Sequence, residues 1–303
     1  MDRKVVLAHV GLLAVNLLYG GNYIVAKDLM PGVIGPSGFI TLRILGSTLL
    51  FAVLFFFNPE KIQRQDYGRV LLCAIFGISA NQLLFFNGLS LTSPINSSII
   101  MTSTPILVLV ASSILLKERI TARKIAGISL GFLGAIGLIL SNSKNAILAS
   151  GIGDVMIFLN AMSYGIYLVL VTPLMKKYRA TTIIFTLFFL GFFITLPFGY
   201  QQFAAFHFAD LEPSHIFGLA YVVVGTTFFA YLLNIFSLKH VPPSVTSSYI
   251  YLQPIVATLA AILFFSWGLT NQNFNDINAT KILCMLLVFT GVFLVSKKNK
   301  AQA

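Results

Sequence analysis

Two apolar stretches, each broken by a proline near its middle, recur in this chain 149 residues apart. The first runs from Ser90 to Thr121 (SLTSPINSSIIMTSTPILVLVASSILLKERIT) and the second from Lys239 to Thr270 (KHVPPSVTSSYIYLQPIVATLAAILFFSWGLT). Pro105 maps onto Pro254, Leu89 onto Leu238 and Thr121 onto Thr270. Repetition at this period means two halves of one design. Proline removes a backbone donor and clashes with the preceding turn. The carbonyl it frees inside a membrane needs a partner, which a cavity can supply. Paired proline-broken segments at matching positions therefore point to a solute site between the halves. For either proline alone, a simple bend would account for the break.

Composition fits this frame. The chain is 57% hydrophobic and 10% charged, against about 25% charged in a soluble domain, which makes it an integral membrane protein. Ten runs can span a bilayer, which takes about 20 residues: residues 5–26, 35–57, 70–89, 95–116, 125–140, 154–171, 182–203, 215–238, 244–267 and 277–296. The fifth is short and glycine-rich. The first follows Arg3 and Lys4, is longer than a signal-peptide core and lacks a cleavage site, so it is read as a membrane helix.

With the N-terminus cytoplasmic, sixteen of the 20 Lys and Arg residues fall on the cytoplasmic side. Three, Lys27, Lys144 and Lys281, fall on the other, and Arg43 lies within a helix. This bias predicts both termini inside. It assigns the net charge of +11 to anionic lipid, not nucleic acid. Five helices per half is an odd number, so the second half enters from the opposite side, as an inverted repeat. The first helices of the halves also match: Asn16 pairs with Asn160, Gly21 with Gly165 and Tyr23 with Tyr167.

These residues resemble the EamA type of the drug/metabolite transporter superfamily over nearly the whole chain, as repeats at about 5–140 and 152–296. The resemblance is carried by Tyr19-Gly20-Gly21-Asn22-Tyr23, by Leu42-Arg43, and by Leu115-Leu116-Lys117-Glu118-Arg119-Ile120-Thr121 followed by Gly127, Gly134 and Gly137. It implies an all-α membrane fold of ten helices in two inverted five-helix repeats, around a cavity open to one side at a time. It also implies movement of small metabolites, amino acids or drugs, often outward, and a bacterial inner membrane. The second repeat departs from the pattern, with Trp267 in place of Glu118 and Phe188 in place of Arg43.

Intramembrane charge is costly and usually functional. Arg43 is the clear case, read either as an anchor for an anionic group such as an amino-acid carboxylate or as a packing arginine that snorkels or bonds carbonyls. No acid falls in the middle of a predicted helix. Asp154 comes nearest and is read as a first-turn acid favoured by the helix dipole. Polar and aromatic residues are the candidate lining: Asn16, Tyr19, Asn22 and Tyr23 on one side of the first helix, and Asn160, Tyr164 and Tyr167 on the sixth. Asn81 and Gln82 join them from the third helix, and Tyr231 and Asn234 from the eighth. The broken helices add Ser97, Ser98, Met101 and Thr102, then Ser247, Ser248, Tyr251 and Gln253. Amides are expensive against lipid, so these should face inward, in a cavity suited to a small zwitterionic or aromatic solute. Glu118 with its basic neighbours reads as a cytoplasmic ion-pair cluster, and the glycine face of the fifth helix as a packing surface, with the tenth as the candidate partner.

Cys73 and Cys284 make no disulfide framework, and the four histidines no ligand cluster. No metal, cofactor or catalytic centre is expected, since the deep His9 has no acid near it in sequence. The expected partners are a small-molecule substrate and the lipid bilayer, with a monomer expected and a dimer as the alternative. The leading reading is a secondary transporter exporting amino acids or related metabolites. An uncoupled facilitator and a sugar or nucleotide-sugar carrier are the alternatives.

Overall fold

The computed structural model describes residues 3–116, 122–140, 147–241, 243–267 and 279–296. The junction Lys117-Glu118-Arg119 lies outside them, as does Lys144. All regular structure among the described residues is helical. The helices are α1 (Arg3–Leu29), α2 (Pro36–Phe57), α3 (within Arg64–Leu91), α4a (Pro94–Met101) and α4b (Thr104–Leu116). They continue as α5 (Ala122–Leu140), α6 (Ile147–Lys177), α7 (Ala180–Ala204) and α8 (Pro213–Leu238). The last are α9a (Pro243–Ser248), which runs through a 3₁₀ turn at Tyr249–Leu252 into α9b (Gln253–Ser266), and α10 (Ala279–Ser296). Eight described helical spans are long and apolar enough to cross a membrane; α5 and the shorter apolar stretch of α10 accompany them.

The molecule is inverted relative to a water-soluble protein. Asn16, Asn22, Arg43, Gln82, Asn160 and Gln253 are buried, while Val10, Phe56, Phe57, Phe193, Phe217 and Leu259 are exposed. An apolar exterior of this extent needs lipid around it. Lipid cannot bond the backbone, so each departure from the helix must be satisfied within the protein. The break between α4a and α4b shows how. The chain turns at Thr102 and Ser103, just ahead of Pro105. Proline at 105 would strand the carbonyl of Met101, and Thr104 Oγ1 donates to it at 2.7 Å. Ser103 Oγ donates to Ile100 O at 2.7 Å, and Thr102 Oγ1 to Ile99 O. The freed carbonyls are met by the segment's own hydroxyls and not by a cavity, which corrects the expectation drawn from proline alone.

Two further departures fall at repeat-equivalent places. α3 winds into a π-helical turn at Ile75–Ser79 and α8 at Tyr221–Phe229. Such turns redirect side chains and free carbonyls, and they concentrate at functional sites. Here the carbonyls are taken by neighbours: Ser163 Oγ donates to Phe76 O at 2.7 Å and Tyr231 OH to Gly77 O at 3.2 Å.

Helix pairing exchanges between the halves. α1 packs on α9b and on α8, while α6 packs on α4b and on α3. α2 packs on α7 and α5 on α10, the last as the glycine face of α5 suggests. Close approach occurs at corresponding crossings, with Gly20 against Val256 and Gly165 against Leu107 and Val108. At one end of the bundle, Asp66 before α3 meets Lys177 at the end of α6 (2.6 Å), and Ser237 near the end of α8 donates to Ala8 O of α1 (3.0 Å). Lys239 joins that end through Tyr178 O at 3.3 Å. At the other end, Lys27 of α1 donates to the carbonyls of Leu89 (2.9 Å) and Ser90 (2.8 Å). There Thr92 bonds Asp154 of α6. α1 and α6 therefore run in opposite directions.

Asp154 departs from its expected place. The run from Ile147 is already helical, so Asp154 lies two turns inside α6, with no exposed surface, at the close contact of Gly88 with Gly153.

A Cβ added at Gly291 would come 2.5 Å from Gly127 O and 2.7 Å from Gly131 N, both backbone atoms. Gly291→Leu is expected to destabilise the α5–α10 pair by about 1–3 kcal/mol, read as a lower thermal midpoint in detergent. Gly68→Ala, which meets nothing within 4 Å, should leave that midpoint unchanged.

Candidate functional site: a polar cavity between the halves

Helices from both halves enclose a cavity at the crossings of α1, α9, α6 and α3, with α2 and α8 completing its wall. It leaves about 70 Å³ for the centres of water-sized molecules. One water needs about 10–15 Å³ by that measure, so the space holds a few waters or one small solute.

The wall begins on α1, where spacings of three and four bring Asn16, Tyr19, Asn22 and Tyr23 to one face. A chain of bonds ties this face to the start of α9b. Tyr23 OH donates to Gln253 Oε1 at 2.8 Å, and Gln253 Nε2 donates to Asn16 Oδ1 at 2.8 Å. Asn16 Nδ2 in turn donates to Leu12 O at 2.8 Å. On the far wall, Asn160 Nδ2 donates to Asn81 O at 2.7 Å and Asn234 Nδ2 to Tyr164 OH at 3.2 Å. Tyr231 closes the wall from α8, its ring edge-on to Phe188 at 4.9 Å.

Arg43 reaches the cavity from α2. The π-turn of α8 lets Thr227 Oγ1 donate to Val222 O, five residues back, at 2.8 Å. The hydroxyl oxygen then accepts Arg43 Nε at 2.9 Å. The guanidinium carbon lies 4.3 Å from the centre of the Phe86 ring, a cation–π contact. Thr226 Oγ1 lies 3.0 Å from Asn22 Oδ1, so one π-turn orients both polar walls. Gln82 is 2% exposed, and neither of its amide atoms has a hydrogen-bond partner. Asn160 Oδ1 is also buried without one.

Most of the sequence-predicted lining converges here: Asn16, Tyr19, Asn22, Tyr23, Arg43, Asn81, Gln82, Met101, Asn160, Tyr164, Tyr231, Asn234 and Gln253. Six residues are placed elsewhere, among them Ser97 and Ser247, which are fully buried away from the cavity wall. Ser98 and Thr102 donate back to Ile95 O and Ile99 O of their own helix. Tyr167 packs its ring over Gly77, and Tyr251 faces Phe289 of α10. The side chain of Ser248 is outside the described residues. The structure adds Val15, Phe85, Phe86, Thr246 and Ile250 to the wall. The position of Phe85 and Phe86 beside Asn81 and Gln82 was the one available signal for them. Among the described residues, no three His, Cys, Asp or Glu come together as a metal site would need.

An all-helical bundle of membrane-crossing length, with exchanged helix pairs around a polar cavity, defines a multi-pass membrane protein of the transporter class. The chain matches the EamA-like transporter family over residues 6–140 and 151–297, and it belongs to that family, within the drug/metabolite transporter superfamily. It is 26% identical over 308 residues to the uncharacterized transporter YyaM of Bacillus subtilis, covering 97% of each chain. It is 25% identical over 288 residues to an uncharacterized transporter of Archaeoglobus fulgidus, covering 95% of this chain and 98% of that one. A solved structure titled "Crystal structure of protein" shares the fold at a TM-score of 0.61 and 13% identity, covering 97% of each chain.

Replacing Gln253 with Leu would leave Tyr23 OH and Asn16 Oδ1 buried without partners, at about 1–3 kcal/mol each. Gln253→Leu should therefore lower the thermal midpoint in detergent clearly more than Ser266→Ala, whose hydroxyl is exposed and bonds its own helix.

Proposed function

We propose that the chain is a secondary transporter that moves small metabolites, amino acids or related compounds, outward across the inner membrane by alternating access. The observation that carries this reading is the polar, aromatic cavity built jointly by equivalent helices of the two halves. The halves, at about 5–140 and 152–296, act as inverted repeats in ten spans with both termini cytoplasmic. The opposite directions of α1 and α6 support that arrangement, as does the basic end formed by Lys177 and Lys239. In such folds the halves rock about a site near the midplane. Amides and tyrosines suit a solute with both charged and apolar parts, and the lining contains no nucleophile–base pair that would suggest chemistry. The working unit is a monomer in the lipid bilayer, with no cofactor and no nucleic-acid partner.

The test is flux in proteoliposomes for neutral and aromatic amino acids, a polyamine and a sugar, with and without a pH gradient. Saturable amino-acid flux is expected, reduced about tenfold or more in Tyr164→Ala and Asn22→Ala. Flux that only equilibrates would make the protein a facilitator. Absence of flux for every amino acid would remove that substrate class.

A further inference from the structure

We propose that Arg43 makes the cavity an oxyanion site. The solute carries a carboxylate that docks on the Nη edge of the guanidinium, and a hydrogen-bond donor that meets Asn160 Oδ1 and Gln82 Oε1. This deepens the transport reading and rests on the cavity being the solute site.

The guanidinium is 4% exposed, in the wall of a membrane cavity. Two of its surfaces are already used. Thr227 holds Nε, and the Phe86 ring covers the group at 4.3 Å. Both contacts fix its orientation without neutralising its charge. Among the described residues no carboxylate forms an ion pair with Arg43, and the cavity lining contains neither Asp nor Glu. A purely structural arginine at this depth would be expected to spend its donors on backbone carbonyls. Here the one side-chain bond goes to a hydroxyl, and the two Nη groups have no partner within the described protein. A planar fork with two free parallel donors matches a carboxylate in bidentate geometry. One guanidinium balances one negative charge. A phosphate dianion would leave an excess charge in a wall that offers no second cation.

The second feature is independent of the arginine. Gln82 and Asn160 present buried amide oxygens with no protein donor in hydrogen-bond geometry, and the Gln82 amide lies beside the Tyr231 hydroxyl. Buried polar groups are rarely left this way unless something else completes them. An acceptor pair calls for an ammonium or a hydroxyl. A free amine would bring its charge into a cavity that already holds an uncompensated cation. The same ammonium on a molecule that also carries a carboxylate brings no net charge. α-Amino acids and α-hydroxy acids therefore satisfy both poles. Simple carboxylates satisfy one, and amines alone are rejected. Phe85, Phe86, Val15 and Ile250 leave the remaining wall apolar for the side chain.

The experiment uses the purified full-length protein and ligand-induced shifts of its thermal midpoint, titrated to give apparent affinities. Two series are compared: alanine, lactate, propionate and ethylamine; then phenylalanine, phenyllactate, phenylpropionate and phenethylamine. In at least one series the amino acid and hydroxy acid should bind, the simple acid about tenfold more weakly and the amine about a hundredfold more weakly or not at all. Arg43→Gln should abolish the preference for acid over amine. Arg43→Lys should keep its sign with weaker binding, and Gln82→Leu should weaken the amino acid while sparing the simple acid. An amine that binds the wild type as well as its amino acid overturns the proposal, as does an Arg43→Gln protein that keeps the acid preference. If either happens while Tyr164→Ala weakens binding of all ligands, the cavity stands and only the oxyanion assignment falls. If no member of either series binds, the amino-acid reading falls with it. Should Arg43→Gln fail to fold, the wild-type series decides alone.

Discussion

A backbone polar group in hydrocarbon has no solvent to fall back on, and this structure is arranged around that constraint. At three places where a described helix leaves regular α geometry, side chains bond the backbone. Thr102, Ser103 and Thr104 close the carbonyls around the break before Pro105. Ser163 and Tyr231 close those of the π-turn in α3. Thr226 and Thr227 turn inward on the π-turn of α8. At each of these three breaks the hydroxyls are supplied by the segment itself or by a packed neighbour. Tyr231 serves both the irregular backbone and the polar cavity, and Thr226 and Thr227 reach the cavity wall through Asn22 and Arg43.

This explains why the cavity wall has ordered side chains. Thr227 is held by Val222 O and in turn holds Arg43. Gln253 is held by Tyr23 and in turn holds Asn16. Arg43 and Asn16 are each positioned by a group that is itself hydrogen-bonded. A side chain with three or four rotatable bonds would otherwise lose much of its binding contribution to ordering. Gln82 and Asn160 Oδ1 stand apart because nothing in the protein completes them.

Much of this was legible in the sequence. The three- and four-residue spacing of polar groups on α1 and the lone intramembrane arginine carried through to the cavity, whereas the paired prolines marked helix breaks that lie outside its wall. What was not legible has physical reasons. A π-turn has no fixed composition, so nothing in Ile75–Ser79 announced one. Asp154 looked terminal because the apolar run was counted from the acid. In fact Ile147 to Gly153 already continue the helix and bury the carboxylate against α3. Tyr167 shares a helix face with the lining in projection, but Gly77 leaves room for its ring outside the cavity. Phe85 and Phe86 read as ordinary apolar filling, since hydrophobic pattern cannot tell a cavity wall from a helix contact.

The departures from internal symmetry complete the picture. Equivalent helices pair in equivalent ways, so a perfectly repeated sequence would build a cavity with two like poles. Phe188 replaces Arg43 in the second half, and it packs behind the cavity wall against Tyr231 and Phe51. Thr104 replaces Gln253 and bonds its own helix, so α4b is not bound to α6 by the chain of amides that binds α9b to α1. Asn160 is left with a free oxygen where Asn16 has none. One half therefore supplies a cation to the cavity and the other does not, and one crossing is tied by amides while its counterpart is not. A cavity with a cation at one place and free amide oxygens at another orients an asymmetric solute, whereas the repeated scaffold alone would bind it in either sense. The scaffold's symmetry supplies two related packings, and the few residues that break it decide what the cavity between them can hold.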